Sequence, residues 1–165
     1  MTREQVAFFA LRNETVLPPF LWHSADTTSS FDVYGLPDSS GVVKIGHHQA
    51  GPSVQPGGYA DPDPVRTTAI SSFVTAHLPS LMPQPQGAKT CLYATTPDDD
   101  FIIDRVGHII LAIGFGGHGF KFAPAVGDLV ADLIDSHRVP EYGAKFALPR
   151  FANLNVSAGR GSYAT

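Results

Sequence analysis

The sequence predicts an α+β protein, with an antiparallel sheet covered by one helix and then a further strand and helix. Three observations carry this. Sixteen Gly and fourteen Pro in 165 residues favour turns, short strands and close backbone approaches over a helix bundle. Apolar residues make up 43% of the chain and charged residues only 16%, against about a quarter in ordinary proteins. That composition supplies a core and little solvated helical surface. The apolar residues also fall in short runs parted by turn residues, and few stretches keep helical spacing.

The elements follow in order. Val6 to Leu11 and Val16 to His23 are short apolar runs separated by Arg12-Asn13-Glu14-Thr15, a strand, turn, strand pattern in which Pro18-Pro19 marks an edge or a bend. Phe31 to Leu36 and Val42 to His47 read as two more strands, joined by the hairpin composition Pro37-Asp38-Ser39-Ser40-Gly41. Ala50 to Pro64 reads as loop. A helix is expected to start near Pro62-Asp63-Pro64, since Pro suits a first turn and Asp the positive helix end. Val65, Ala69, Ile70, Phe73, Val74 and Leu78 keep helical spacing until Pro79. Lys89 to Thr95 is strand-like, and Pro97-Asp98-Asp99-Asp100 is a solvated turn into Phe101-Ile102-Ile103-Asp104. Ile109 to Phe115 is a continuous apolar run, as in a strand covered on both faces. It leads through Gly114-Phe115-Gly116-Gly117-His118-Gly119 into a helix whose Phe122, Val126, Leu129, Val130, Leu133 and Ile134 form one stripe. Residues 152–165 have little to bury and are expected to fray.

Eleven Lys and Arg against fifteen Asp and Glu give a net charge of −4, with no basic cluster to neutralise a row of phosphates, so nucleic acid is not expected as a partner. The apolar run after Met1 is too short for a signal peptide or a membrane span, and a soluble, cytoplasmic protein is expected. The single cysteine, Cys91, cannot staple a fold and lacks the Cys and His spacing of a zinc site, so no metal is expected. It is either a buried small apolar residue, the commoner fate, or a reactive thiol.

Two places could carry chemistry. The glycine-rich turn at 114–119 would offer backbone N–H groups and a helix N-terminus to an anion or an electron-rich ligand atom, with His118 and Lys121 three residues apart beside it. The plainer alternative is Gly for tight strand-to-helix packing. Lys44 and His48 form the second pair. Alternation in Val42-Val43-Lys44-Ile45 turns Lys44 to the face opposite Val43 and Ile45, where it either meets water or points into a cleft.

The stretch Lys89-Thr90-Cys91-Leu92-Tyr93-Ala94-Thr95-Thr96-Pro97-Asp98-Asp99-Asp100-Phe101-Ile102-Ile103-Asp104, followed by Gly114-Phe115-Gly116-Gly117-His118-Gly119-Phe120-Lys121-Phe122, resembles the carboxyl-terminal half of monomeric sarcosine oxidase and N-methyltryptophan oxidase. These are FAD-dependent amine oxidases of the D-amino-acid-oxidase superfamily. The likeness extends upstream through Tyr34-Gly35-Leu36-Pro37 and Lys44-Ile45-Gly46-His47-His48, with a one-residue gap between Tyr34 and Lys44, and covers about residues 3 to 151.

The resemblance implies a role for each matched position. Cys91 matches the cysteine joined to the flavin's 8α-methyl carbon, so the implied cofactor is FAD, attached covalently there. Lys44 matches the lysine over the flavin face where oxygen is reduced. His48 and Tyr34 match catalytic residues beside the substrate amine, and Tyr93 and Lys121 match substrate-binding positions, the lysine holding the substrate carboxylate. Gly116, Gly117, His118 and Gly119 match the cofactor-binding turn near the flavin's pyrimidine end, where donors stabilise charge that builds up on reduction. The implied domains are a substrate-domain portion at 1–96 and, at 97–151, the last strand and helix of an incomplete FAD-binding domain. Relatives begin with a dinucleotide fingerprint that this sequence lacks, so the implied oxidation of a secondary amine or N-methyl amino acid, with oxygen giving hydrogen peroxide, would need a separate amino-terminal polypeptide or an upstream region. The alternative expectation is a truncated, non-catalytic remnant or scaffold prone to self-association.

Overall fold

The computed structural model describes residues 1–13, 16–24, 32–48 and 51–152. Phe31 and the tail expected to fray beyond Ala152 lie outside them. The chain divides into two compact units, Met1–Tyr93 and Ala94–Thr165.

The first unit is a five-stranded antiparallel sheet. Its strands are β1 (Thr2–Ala10), β2 (Phe20–Trp22), β3 (Val33–Pro37), β4 (Val42–His47) and β5 (Gly87–Tyr93), in the order β2-β3-β4-β1-β5. The longest, β1, lies between β4 and β5 and pairs with both. β2 is shorter than the apolar run Val16 to His23 suggested, because Pro18-Pro19 cannot continue a ladder. It closes the sheet edge against β3, where Phe20 faces Gly35. Gly is required there: a Cβ would come within 2.1 Å of the Phe20 ring.

Helix α1 (Pro64–His77) packs on one face. Asp63 caps it, its carboxylate accepting the Val65 N–H at 2.8 Å, and Pro64 supplies a first residue with no N–H to satisfy. Gln5 fixes the helix start to the sheet: its amide donates to the Asp63 carbonyl at 3.0 Å and accepts the Asp63 N–H at 2.7 Å. Ala7, Phe9, Val33, Val43 and Ile45 of the sheet meet Ile70, Phe73 and Val74 of α1, with Leu81 completing the cluster. Each fully buried large side chain here contributes roughly 1.5–3 kcal/mol.

The second unit holds a hairpin of β6 (Ile102–Val106) and β7 (Ile109–Ile113) and helix α2 (Ala123–Ser136). Phe101, Ile103, Leu129 and Leu133 form its core. The continuous apolar run is not a strand covered on both faces: β7 pairs with β6 alone, and Ile109 and Ile113 are exposed. Among the described residues no third strand or second layer covers that side. Nor does the glycine turn run straight into the helix. A 3-10 turn, Phe120–Phe122, intervenes, and α2 begins at Ala123. The second residue of α2 is Pro124, which is tolerated there because early helical N–H groups have no intrahelical acceptor.

Candidate active site

Alternation along the five strands decides which side chains share a face. Gln5, Ala7 and Phe9 face α1, so Glu4, Val6 and Phe8 face away from it. The register Val6↔Gly46 and Glu4↔Cys91 carries that division across the sheet. Tyr34 opposes Gly46 and Leu36 opposes Lys44. Lys44, Tyr34, Cys91 and Tyr93 therefore stand together on the face that the helix leaves open.

Their contacts are close. The Lys44 ammonium lies 6.0 Å from the centre of the Tyr34 ring, within reach of an attraction to its π face. The His48 ring packs 6.5 Å from Tyr34 and 6.4 Å from Tyr93, and the backbone N–H of His48 donates to the Asp32 carbonyl at 2.8 Å. The Tyr93 hydroxyl donates to that of Tyr34. Burial raises the pKa of both phenols, and the donated hydrogen bond raises that of Tyr93 further. Both remain protonated well above neutral pH.

Cys91 is exposed, which leaves the buried alternative aside: β5 is an edge strand, and residue 91 points to the open face. Partial desolvation lifts its thiol pKa and the charge of Glu4 lifts it further, while Lys44 and Arg66 draw it down. Neither Glu4 nor Arg66 was singled out from the sequence. Extending the alternation of Gln5, Ala7 and Phe9 one residue back would have placed Glu4 on this face, but nothing local foretells Arg66, which comes from α1.

The second unit holds the glycine turn. Gly114, Gly116 and Gly117 all take positive φ, at 79°, 52° and 80°, a conformation open to Gly with little strain. Gly116 N–H donates to the Ala94 carbonyl at 3.1 Å and His118 N–H to the Phe115 carbonyl at 3.0 Å, so backbone hydrogen bonds tie the turn both to itself and to the segment before β6. A Cβ at Gly119 would come within 2.7 Å of Phe115. The His118 imidazole sits 3.3 Å from the Gly116 carbonyl and 5.4 Å from the Phe101 ring. His118 and Lys121 line a cavity of about 350 Å³ walled by Phe101, Phe122 and Phe146. The turn thus presents a rigid backbone, one imidazole and one ammonium, and its donors precede α2 instead of capping it.

Comparison with known proteins bears on both units. The family model described as "FAD dependent oxidoreductase", DAO, matches residues 3–133. Peroxisomal sarcosine oxidase of Homo sapiens is 37% identical over 153 residues, covering 83% of this chain and 36% of that protein. Monomeric sarcosine oxidase of Bacillus sp. (strain NS-129) is 30% identical over 130 residues, 72% of this chain and 33% of that protein. N-methyl-L-tryptophan oxidase of Yersinia pestis (strain Pestoides F) is 31% identical over 157 residues, 80% of this chain and 41% of that protein. The chain thus spans roughly a third to two fifths of the length of these relatives. Among solved structures, L-proline dehydrogenase from P. horikoshii superposes with a TM-score of 0.71 at 24% identity, covering 91% of this chain and 39% of that one. NikD, an amino acid oxidase of nikkomycin biosynthesis, gives 0.67 at 20% identity, covering 88% and 41%; at these identities the two share the fold. With the family model matched over most of its length, this chain belongs to the DAO family of FAD-dependent oxidoreductases.

Proposed function

We propose that this chain is part of a sarcosine-oxidase-like enzyme that oxidises a secondary amine or N-methyl amino acid with FAD and oxygen, giving hydrogen peroxide. The observation that carries the reading is the gathering of Lys44, Tyr34, His48, Tyr93 and Cys91 on the open face of one sheet. These residues come from three strands and the loop after one of them, and a fold with no use for such a cluster has no reason to build it on the side away from its core.

The residues fit a flavin by their chemistry. An exposed thiol able to form a carbon–sulfur bond, an ammonium and two neutral phenols on an open strand surface suit a large planar ligand with polar edges. The chemistry FAD supplies when bound is acceptance of hydride from the amine and delivery of the electrons to oxygen. The chain's own residues do the rest. Lys44 brings a fixed positive charge, strengthened by its partly buried setting, to a place where oxygen would acquire negative charge. The paired phenols stay neutral and orient by hydrogen bonding. His48, between the two rings, is the residue type that exchanges a proton near neutral pH. Cys91 is the proposed point of attachment, Lys121 the partner of the substrate carboxylate, and the turn Gly116 to Gly119 a rigid set of backbone donors. The remaining portion of the family fold, on the same polypeptide or another, is the partner this reading requires.

Co-expression with an amino-terminal half from a family member tests it. The expected product is yellow, keeps its flavin through acid precipitation and releases peroxide with an N-methyl amino acid. Cys91→Ser abolishes the acid-stable flavin, and Lys44→Met slows reoxidation by oxygen by about a hundredfold or more, the scale of losing one preorganised charge. A colourless product would overturn the reading and favour the non-catalytic remnant.

A further inference from the structure

Glu4 is only 2% exposed, and it sits opposite Cys91 across the β1–β5 ladder. Residues opposed in this way have Cβ atoms about 4.5–5.5 Å apart on the same face, so carboxylate and thiol are neighbours. Oε1 accepts the Thr2 hydroxyl at 2.6 Å, and Arg66 Nη2 approaches Oε2 to 3.7 Å, beyond hydrogen-bonding distance. Oε2 has no hydrogen-bond partner among the described residues. Gly51 closes over the group: a Cβ there would come within 2.6 Å of Glu4 Oε1. Arg66 is itself held, donating from Nη1 to the Arg3 carbonyl at 2.9 Å. A buried carboxylate with an orphan oxygen is costly, and this one lies beside the one cysteine.

We propose that Glu4 is a positioning residue whose buried charge restrains Cys91, keeping its exposed sulfur in the unreactive thiol form against the pull of Lys44 and Arg66. The direction of the thiol's titration agrees, as does the placement of the other titratable groups. Those facing Cys91 are Glu4 from β1, Tyr34 from β3, Lys44 from β4 and His48 just beyond it, Lys89 and Tyr93 from its own strand, and Arg66 from α1. Of these, Glu4 is the buried anion. An exposed cysteine without such a restraint, beside two cations, would be open to stray electrophiles and oxidants, because the thiolate is the attacking species. The inference rests on the assignment of Cys91 as the attachment point only for the identity of its eventual partner.

The test uses the full chain without flavin and iodoacetamide as the probe. The thiol gives its proton to water, the sulfur–carbon bond forms, and iodide leaves with the electron pair of the carbon–iodine bond. In Glu4→Gln the pH–rate profile moves to lower pH, and alkylation at neutral pH is about threefold or more faster, the change that half a pH unit in the thiol produces. Glu4→Asp, which retains the charge, keeps the parent profile. A Gln profile that superimposes on the parent or moves to higher pH overturns the proposal, and so does an Asp profile displaced as far as that of Gln. Far-UV circular dichroism reports whether each variant folds. Should Glu4→Gln unfold, Glu4→Met is the deciding variant, since it removes the charge together with the orphan oxygen at similar volume: a profile moved to lower pH supports the restraint, and one that superimposes on the parent or moves to higher pH overturns it. Failure here leaves the covalent-flavin result untouched, and a colourless co-expression product leaves this measurement valid.

Discussion

At Gly46 a hydrogen in place of a methyl group keeps two phenols together. A Cβ built there would come within 2.6 Å of the Tyr34 hydroxyl and ring, so the ring could not hold its position. Gly46→Ala is therefore expected to break the Tyr93 to Tyr34 hydrogen bond and to destabilise the first unit by about 1–3 kcal/mol, the usual penalty for overfilling a packed site. The titration of the pair reports it. In the parent both phenols ionise above the ordinary value of 10.0, by desolvation first and, for Tyr93, by the charge and hydrogen bond of Tyr34 as well. Since the folded values lie above the unfolded ones, the stability the pair contributes is fully present below about pH 10 and is lost as pH rises through the folded values. Alkaline difference absorbance of the phenolates is expected to show late-titrating tyrosine in the parent and an earlier transition in Gly46→Ala. Identical curves would mean that the ring has room to give way.

The turn before β6 shows how an element is held from far along the chain. Asp98 accepts from Arg150 Nε at 2.7 Å and Nη2 at 3.2 Å, from the Thr96 hydroxyl at 3.0 Å and from the Asp100 N–H at 3.2 Å. Arg150 also donates to the Asp100 carbonyl at 2.9 Å. This two-pronged clasp, chiefly the Arg150 hydrogen bonds, draws the Asp98 pKa down to about 2 from the ordinary 3.8. The folded value lies below the unfolded one, so the stability gained is present above about pH 4 and disappears as pH falls through about 2. Arg150→Ala is expected to return the Asp98 carboxyl close to its ordinary value, read by carbon NMR of the side chain; a carboxyl still near 2 would assign the shift to the local turn. The sequence identified the run Pro97 to Asp100 as a solvated turn from its composition, and Pro97, Asp98 and Asp99 are exposed, but nothing local announces an arginine 52 residues away. The same limit applies elsewhere. Val42 to His47 and the start of α1 were legible, since alternation and the Asp-Pro pair are local signals. The face shared by Lys44 and Tyr34 followed from the same alternation. Which residue would stand opposite Cys91 depended on the β1–β5 register, a pairing across more than eighty residues, and so Glu4 stayed hidden. The 3-10 turn ahead of α2 was missed for a different reason: Phe122 continues the helical stripe of Val126 and Leu129, and periodicity does not distinguish a tight turn from the first turn of an α-helix.

The two units differ in what they bury, and that difference sets an order of stability. Among the described residues, the first has nine buried apolar side chains in one cluster, drawn from three strands, a helix and the segment after it, whereas the second has four, drawn from one strand, its preceding residue and one helix. A two-stranded ribbon is marginal by itself and depends on the helix packed against it. β6 and β7 lean on α2 through Ile103, Leu129 and Leu133 while Val106, Ile109 and Ile113 stay exposed. With roughly 1.5–3 kcal/mol for each large side chain buried, the second unit opens at lower free energy than the first. Native-state hydrogen exchange is expected to show amides of β6, β7 and α2 exchanging well before those of β1, β4 and α1, in two separate groups. Exchange of both groups at one common rate would instead show a single cooperative unit. The same measurement reports on the exposed apolar residues of the hairpin. Contiguous apolar surface of this kind marks a contact site or an association liability, so addition of an amino-terminal half from a family member should slow exchange in β6 and β7 more than in β1. Slowing that rises with the chain's own concentration, in the absence of any such partner, would assign the surface to self-association.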